Sequence, residues 1–93
     1  MLKNKIVLIT GGGKGIGAAI AREMASRGAA VIINYSHSEA AAKEVQLEIR
    51  RAGGQAEIFC CDVSDYNSVK AMMGDIIQHY GRLDILVNNA GIV

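Results

Sequence analysis

Apolar runs and segments of helical periodicity alternate along the whole chain. Four short runs rich in Ile, Val, Leu and Ala are typical of strands that a sheet buries on both faces. These runs span residues 5–10, 30–35, 55–61 and 83–88. The segments between them carry apolar residues at steps of three and four and end in glycine, which predicts three helices. The order βαβαβαβ, with short connections, predicts one parallel sheet with right-handed crossovers.

The third helical segment has the clearest apolar stripe, which predicts that this helix packs on the sheet. The stripe consists of Val69, Met72, Met73, Ile76, Ile77 and Tyr80. Ser64 or Asp65 is suited to cap the N-terminus of this helix, and Ser38 is suited to cap the helix before it. Two α/β architectures fit the alternation: a Rossmann-type doubly wound sheet with strand order 3-2-1-4, and a flavodoxin-like sheet.

A glycine-rich loop between the first strand and the first helix decides between these architectures in favour of the Rossmann type. After Thr10 the loop reads Gly11, Gly12, Gly13, Lys14, Gly15, Ile16 and Gly17. Glycines permit positive φ and let the backbone approach a pyrophosphate, and the helix N-terminus behind them offers free N–H groups. Ile16 is expected to be an apolar plug within the turn. A P-loop is excluded because it needs Ser or Thr after its Lys, and Gly15 follows Lys14 here.

Two further segments accompany the glycine loop. The fourth strand runs into Asn88, Asn89, Ala90 and Gly91, and the third ends in Asp62 and Val63. With the pattern Thr-Gly-x-x-x-Gly-x-Gly at residues 10–17, these segments make the whole chain resemble short-chain dehydrogenases/reductases, 3-oxoacyl-[acyl-carrier-protein] reductases in particular. The resemblance implies that residues 1–93 are the N-terminal, incomplete part of one NADP(H)-binding Rossmann domain. It also implies that Asp62 and Val63 flank the adenine, and that the Asn-Asn-Ala-Gly run lines the ribose and the approach to the nicotinamide.

The end of the second strand predicts that the cofactor is NADP(H) rather than NAD(H). An NAD site places Asp or Glu there to bind the ribose 2′-hydroxyl. This chain has Asn34, Tyr35, Ser36, His37 and Ser38 at that place, and its first acid is Glu39 in the next helix. Lys14 can supply positive charge to a 2′-phosphate, and Ser36 or Ser38 can hydrogen-bond it. Family members often carry Arg at the position of Lys14, so a Lys is expected to select less sharply.

The resemblance implies reduction of a small carbonyl substrate by a Ser, an Asn and the pair in Tyr-x-x-x-Lys. Tyr66 and Lys70 have that spacing, but they precede the Asn-Asn-Ala-Gly run, whereas the family's pair lies after a fifth strand. We therefore interpret them as an exposed surface pair and assign no catalytic residue to this chain. His37 and His79 are also interpreted as surface residues. Two hypotheses remain. One is the dinucleotide-binding part of an NADP(H)-dependent carbonyl reductase/alcohol dehydrogenase, for example a 3-oxoacyl-[acyl-carrier-protein] reductase of fatty acid synthesis; the other is a stand-alone, non-catalytic nucleotide-binding half-domain that self-associates.

Composition limits the classes of partner that we expect this chain to bind. A formal net charge of +1 gives no footprint for nucleic acid or an anionic membrane. No apolar stretch approaches the roughly 20 residues that span a bilayer, and no secretory signal is visible. Cys60 and Cys61 are expected to be small core residues rather than part of a metal or redox site. We therefore expect a cytoplasmic protein. A homo-oligomer is expected, because the fourth strand would present an apolar edge.

Overall fold

The computed structural model describes residues 2–89 and contains one four-stranded parallel sheet with three helices. The elements are β1 Ile6–Thr10, α1 Gly15–Ser26, β2 Ala30–Tyr35, α2 Glu39–Arg51, β3 Gln55–Cys60, α3 Tyr66–Tyr80 and β4 Ile85–Asn88. The strand order is β3-β2-β1-β4, and all three strand pairs are parallel. The predicted Rossmann order is therefore confirmed. After β3 the chain crosses to the other side of β1 to form β4, so the topological switch point lies at the carboxyl ends of β1 and β4, next to β2.

The two central strands are buried because helices cover both faces of the sheet. α1 and α2 cover one face, where Val7, Ile9, Val31 and Ile33 pack against their small and branched residues. α3 covers the other face and places Met72 and Ile76 in the core. Helical residues of small size let α1 approach the sheet closely. The side chains of Ala18 and Ala21 in that helix are buried.

Several sequence-based expectations about single residues were wrong. Cys60 is exposed, because it is the last residue of the edge strand β3, while Cys61 is buried just beyond it. Ile77 is 48% exposed, because it lies at the margin of the helix face that contacts the sheet. Ser38 occupies the N-cap position of α2 but makes no side-chain capping hydrogen bond. Asp65, by contrast, caps α3 by accepting a hydrogen bond from the Asn67 amide.

β4 is short, and a carboxylate ties its start to β1. Asp84 accepts a hydrogen bond from the Ile6 amide at 2.8 Å and another from Arg82 at 2.9 Å. These two hydrogen bonds, the backbone bond first, hold the pKa of Asp84 below its usual value. In the sheet β4 pairs with β1 alone, and Leu86 on its outer part is 51% exposed.

The described part of the chain contains no helix long and apolar enough to cross a membrane. Within the same residues, no three His, Cys, Asp or Glu side chains are grouped so that they could hold a metal ion.

Candidate functional site

The carboxyl ends of β1 and β2 open onto a cleft of about 310 Å³. It is lined by Gly11, Gly13, Lys14, Asn34, Tyr35, Ser36, His37 and Ser38. The glycine loop forms one wall and the β2–α2 connection forms the other. A larger groove of about 640 Å³ lies between β3 and α3, away from the glycine loop. The smaller cleft brings together part of the predicted site: Gly11, Gly13 and Lys14 of the loop with Tyr35 and Ser36 of the second strand end.

Glycine is needed at the loop positions for three different structural reasons. Gly11 and Gly15 adopt φ of 65° and 53°, a left-handed conformation in which side chains are strained. A Cβ on Gly17 would lie 2.3 Å from the Gly11 carbonyl oxygen and 2.7 Å from Nδ2 of Asn89. A Cβ on Gly12 would lie 3.1 Å from the Ile9 carbonyl oxygen, and a Cβ on Gly13 would lie 3.2 Å from the backbone of Ala42 in α2. Gly15 faces open space, with nothing from residues 2–89 within 4 Å of its notional Cβ.

Within residues 2–89, no side chain hydrogen-bonds to the N-terminus of α1. Lys14 is its N-cap residue, and no side chain caps this end and no acid lies in its first turn. The helical hydrogen bonds begin with the Ala18 amide, which donates to the Lys14 carbonyl. The amides of Gly15, Ile16 and Gly17 precede that donor and are left for an external acceptor. Together with the helix dipole they create a place for an anion.

Ile16 is not the apolar plug that the sequence suggested. Its side chain is 73% exposed, because it projects from the first turn of α1 away from the sheet. The tight packing at this turn is instead provided by Gly17 and Ala18, which are buried. A branched apolar residue that remains exposed beside a cleft is available to contact a bound molecule.

Asn34 was not singled out by sequence reasoning, yet it is buried in the wall of the cleft. Its side chain is among the largest that are fully enclosed, and it is hydrogen-bonded to Gly11 and to the backbone after β3. Thr10 is the other buried polar residue, and its hydroxyl accepts a hydrogen bond from the Asn89 amide at 3.0 Å. The signal for Asn34 was present: it is a polar residue that interrupts an otherwise apolar strand.

The β2–α2 connection brings a tyrosine and a carboxylate together. The Tyr35 hydroxyl donates to Glu39 at 3.2 Å, and Lys43 lies 3.0 Å from the other oxygen of the same carboxylate. Partial burial, followed by this contact with Glu39, raises the pKa of Tyr35. The hydrogen bond from Lys43, followed by that from Tyr35, lowers the pKa of Glu39. Glu39 is thus an ionised acid held by two neighbours, while Ser36 and His37 are exposed at the cleft.

Asp62 and Val63 follow β3 at the same edge of the sheet, and both are exposed. Asp62 accepts hydrogen bonds from the hydroxyl and the amide of Ser64 at 2.7 and 3.0 Å. These bonds, the hydroxyl first, lower the pKa of Asp62. After β4, Asn89 donates from Nδ2 to the Gly11 carbonyl at 3.2 Å. Ala90 and Gly91, the other two residues predicted there, lie outside the described residues.

The two histidines and the Tyr66–Lys70 pair are exposed, as the sequence predicted. Tyr66 is 75% exposed at the start of α3, and Lys70 and His79 are exposed along the same helix. His37 is also exposed.

Comparison with known proteins shows which family the chain belongs to. Residues 5–93 match the family model described as short chain dehydrogenase. The chain belongs to the short-chain dehydrogenase family. It is 48% identical over 92 residues to elsinochrome reductase 1 of Elsinoe fawcettii, covering 99% of this chain and 34% of that protein. It is 51% identical over 89 residues to the short-chain dehydrogenase/reductase homolog YusS of Bacillus subtilis, covering 96% of this chain and 82% of that protein.

Solved structures give the same result. A metagenomic short-chain oxidoreductase in complex with NADP superposes with a TM-score of 0.93 at 41% identity, covering 98% of this chain and 41% of that one. A short chain dehydrogenase from Burkholderia cenocepacia in complex with NADP has a TM-score of 0.91 at 43% identity, covering 98% and 37%. The chain thus spans about a third of the elsinochrome reductase it matches, but most of the length of YusS.

Proposed function

We propose that this chain holds the adenosine and pyrophosphate part of NADP(H), as the N-terminal portion of a single Rossmann domain. The observation that carries the proposal is the uncapped N-terminus of α1, which opens beside a loop of closely packed glycines. The same fold carries NADP in the two solved relatives.

The pyrophosphate is proposed to lie against the first turn of α1. The amides of Gly15, Ile16 and Gly17 have no intrahelical acceptor, so they can donate to phosphate oxygens. Open space beside Gly15 lets a phosphate approach the backbone, and a side chain there would occupy that space. In contrast, α3 uses its own Asp65 to cap its N-terminus and has no such vacancy for an anion. The residues present therefore fit a dinucleotide.

The adenosine end is proposed to extend toward the β2–α2 connection. Lys14 and Ser36 line the cleft, so an ammonium and a hydroxyl are available to a ribose 2′-phosphate. Glu39 is already engaged by Tyr35 and Lys43, and it does not take the place of the acid that binds a free 2′-hydroxyl in NAD sites. These features favour NADP(H) over NAD(H).

The remaining predicted contacts come from the segments after β3 and β4, from the end of β2 and from the glycine loop. Asp62 and Val63 are proposed to flank the adenine, and Asn89, Ala90 and Gly91 to line the ribose and the route to the nicotinamide. Tyr35 is proposed to contact the adenosine, and Gly11, Gly12 and Gly13 to shape the loop beneath the pyrophosphate.

For the complete protein we propose NADPH-dependent reduction of a small carbonyl compound. When bound, NADPH supplies a hydride, and the residues described here bind and orient it without taking part in proton transfer. The name of elsinochrome reductase 1 does not refer to an acyl thioester. An acyl-carrier-protein thioester as substrate, fatty acid synthesis and a cytoplasmic location therefore remain predictions from the resemblance alone.

A second candidate is a stand-alone nucleotide-binding half-domain without catalysis. It stays a proposal beside the first because YusS, of which this chain covers 82%, is a relative only slightly longer than this chain. In either case we propose that the 93-residue chain forms a homo-oligomer through the outer edge of β4.

Backbone NMR of the ¹⁵N-labelled 93-residue chain, titrated with NADPH, tests where the cofactor binds. We expect saturable shifts centred on the amides of residues 11–17, with smaller shifts at residues 35–38 and 62–63. Shifts that centre instead on the groove between β3 and α3, or an absence of saturable shifts, would overturn the proposed site.

A further inference from the structure

Asn34 uses every polar atom of its side chain inside the protein. Its Oδ1 accepts from the Gly11 amide at 3.3 Å, and its Nδ2 donates to the Cys61 carbonyl at 3.0 Å and lies 3.5 Å from the Phe59 carbonyl. The side chain is 2% exposed, so no water can replace a lost bond cheaply. Asn34 thereby links the start of the glycine loop to the segment that follows β3.

The link lies where regular pairing between β1 and β2 stops. The paired register of these strands ends at Ile9 and Ile33, and Gly11 then turns away with φ of 65°. Beyond that point the Gly12 amide donates to the Asn34 carbonyl at 3.1 Å. Asn34 thus continues the hydrogen bonding of the sheet into a loop that has no strand geometry of its own.

The peptide unit between Gly11 and Gly12 is fixed at both ends. Its carbonyl accepts from Nδ2 of Asn89 at 3.2 Å, and its N–H donates to the backbone of Asn34. The preceding peptide is fixed through its N–H by the Asn34 side chain. A Cβ on Gly17 would collide with this same Gly11 carbonyl, so the orientation of the Gly11–Gly12 peptide also sets the position of the first turn of α1.

We infer that Asn34 is a positioning residue. It presets the glycine loop for the pyrophosphate and fixes the distance between that loop and the segment after β3 that is proposed to flank the adenine. This inference rests on the proposed function. Because its side chain is enclosed, Asn34 acts on the cofactor through Gly11, Gly12 and the backbone of Cys61 rather than through direct contact of its amide. A preset loop binds more tightly because the cofactor need not order it.

The test compares NADPH and NADH affinity in three variants of the 93-residue chain, by calorimetric titration. Asn34→Leu keeps the approximate volume and removes the amide. We expect it to weaken NADPH and NADH by the same factor, about tenfold or more, as loss of a supporting hydrogen bond does in other preorganised sites. The ratio of the two affinities should not change, because the pyrophosphate loop is common to both cofactors.

Gln46→Leu is the matched control. Gln46 also donates an amide hydrogen bond to a β3 carbonyl, that of Ala56 at 3.1 Å, but it does so from α2, away from the cleft. It should lower stability without changing either dissociation constant. If Asn34→Leu and Gln46→Leu lower stability equally and both leave affinity unchanged, Asn34 is only structural and the inference is overturned.

Asn34→Asp keeps the test valid if the Leu variant does not fold. Its carboxylate can still accept from Gly11, but above its pKa it has no proton to donate to the Cys61 carbonyl. Its NADPH affinity should therefore fall more steeply than that of the wild type as pH rises; parallel pH profiles would contradict the inference. If the wild-type chain binds neither cofactor, the proposed function itself fails, and the inference fails with it.

Discussion

At the scale of single residues, Lys14 is the side chain on which the choice of cofactor depends most. It is exposed and is the lysine among the residues that line the cleft. We expect Lys14→Ala to weaken NADPH about tenfold, which is about 1.4 kcal/mol, and to leave NADH nearly unchanged. Titration of both cofactors measures the effect.

Lys70→Ala is the control for loss of charge, because Lys70 is exposed on α3 and outside the cleft. An equal loss of NADPH affinity in both variants would indicate a general electrostatic effect. An equal loss of NADPH and NADH affinity in Lys14→Ala would place the lysine at the pyrophosphate instead.

Residue roles could be predicted where the chemistry is carried by the backbone, and not where it depends on the direction of a side chain. The positions of the loop glycines follow from a motif, because positive φ and close packing need glycine whatever surrounds them. The burial of Ile16 was predicted wrongly, because the direction of a side chain in the first turn depends on where the helix begins. Asn34 was overlooked because its partners are 23 to 27 residues away in sequence.

At the scale of elements, two glycines in helices provide a matched pair. Gly17→Ala places a Cβ 2.3 Å from the Gly11 carbonyl oxygen, so the α1 turn or the loop must shift. We expect it to lower the free energy of unfolding by about 1–3 kcal/mol. Gly74→Ala, in α3, adds a methyl group with nothing within 4 Å, and should stabilise by about 0.5–1 kcal/mol. Urea unfolding of both variants checks the pair; stabilisation by Gly17→Ala would contradict the contact.

The junction of β1 and β4 should make stability sensitive to acid. Asp84 has a lowered pKa in the folded chain, so its stabilising contribution is complete above the ordinary carboxyl range. It is lost as pH falls below about 4, through the lowered pKa of the folded state. We expect Asp84→Asn to be less stable than wild type at neutral pH, and the difference to shrink in acid.

Urea unfolding between pH 7 and pH 3 measures this convergence. Asp75→Asn, which changes an exposed acid on α3, is the control and should run parallel to the wild type. A constant difference between Asp84→Asn and wild type down to pH 3 would exclude a role for the ionised carboxylate.

The strands were predicted to within one or two residues at each end, because apolar runs and the glycines and helical periodicity around them mark their limits independently. The differences occur where local signals are weak. β4 begins at Ile85 rather than at position 83, since Leu83 and Asp84 are used to anchor the turn before it. The end of β3 at Cys60 depends on where its pairing with β2 stops, which spacing does not reveal.

At the scale of the whole molecule, β4 is one of the two edge strands, with β3, whose outer edge is unpaired among residues 2–89. Its backbone pairs on one side with β1, and Leu86 is half exposed. Unpaired apolar edges recruit further strands, so we expect the 93-residue chain to self-associate. Leu86→Lys should shift it toward the monomer in sedimentation velocity.

Leu47→Lys provides the control, because Leu47 is exposed to a similar extent, 47%, but lies on α2. Self-association that persists in Leu86→Lys, or is lost equally in Leu47→Lys, would exclude β4 as the interface. A wild-type chain that sediments as a monomer would exclude self-association altogether.

The central claim is that this chain holds NADP(H) by itself, with a preference set at the end of β2. The most direct measurement is calorimetric titration of the 93-residue chain with NADPH and, separately, with NADH. Saturable binding with one cofactor per chain and a smaller dissociation constant for NADPH is the predicted result. Tighter binding of NADH, or no saturable binding of either cofactor, would contradict it.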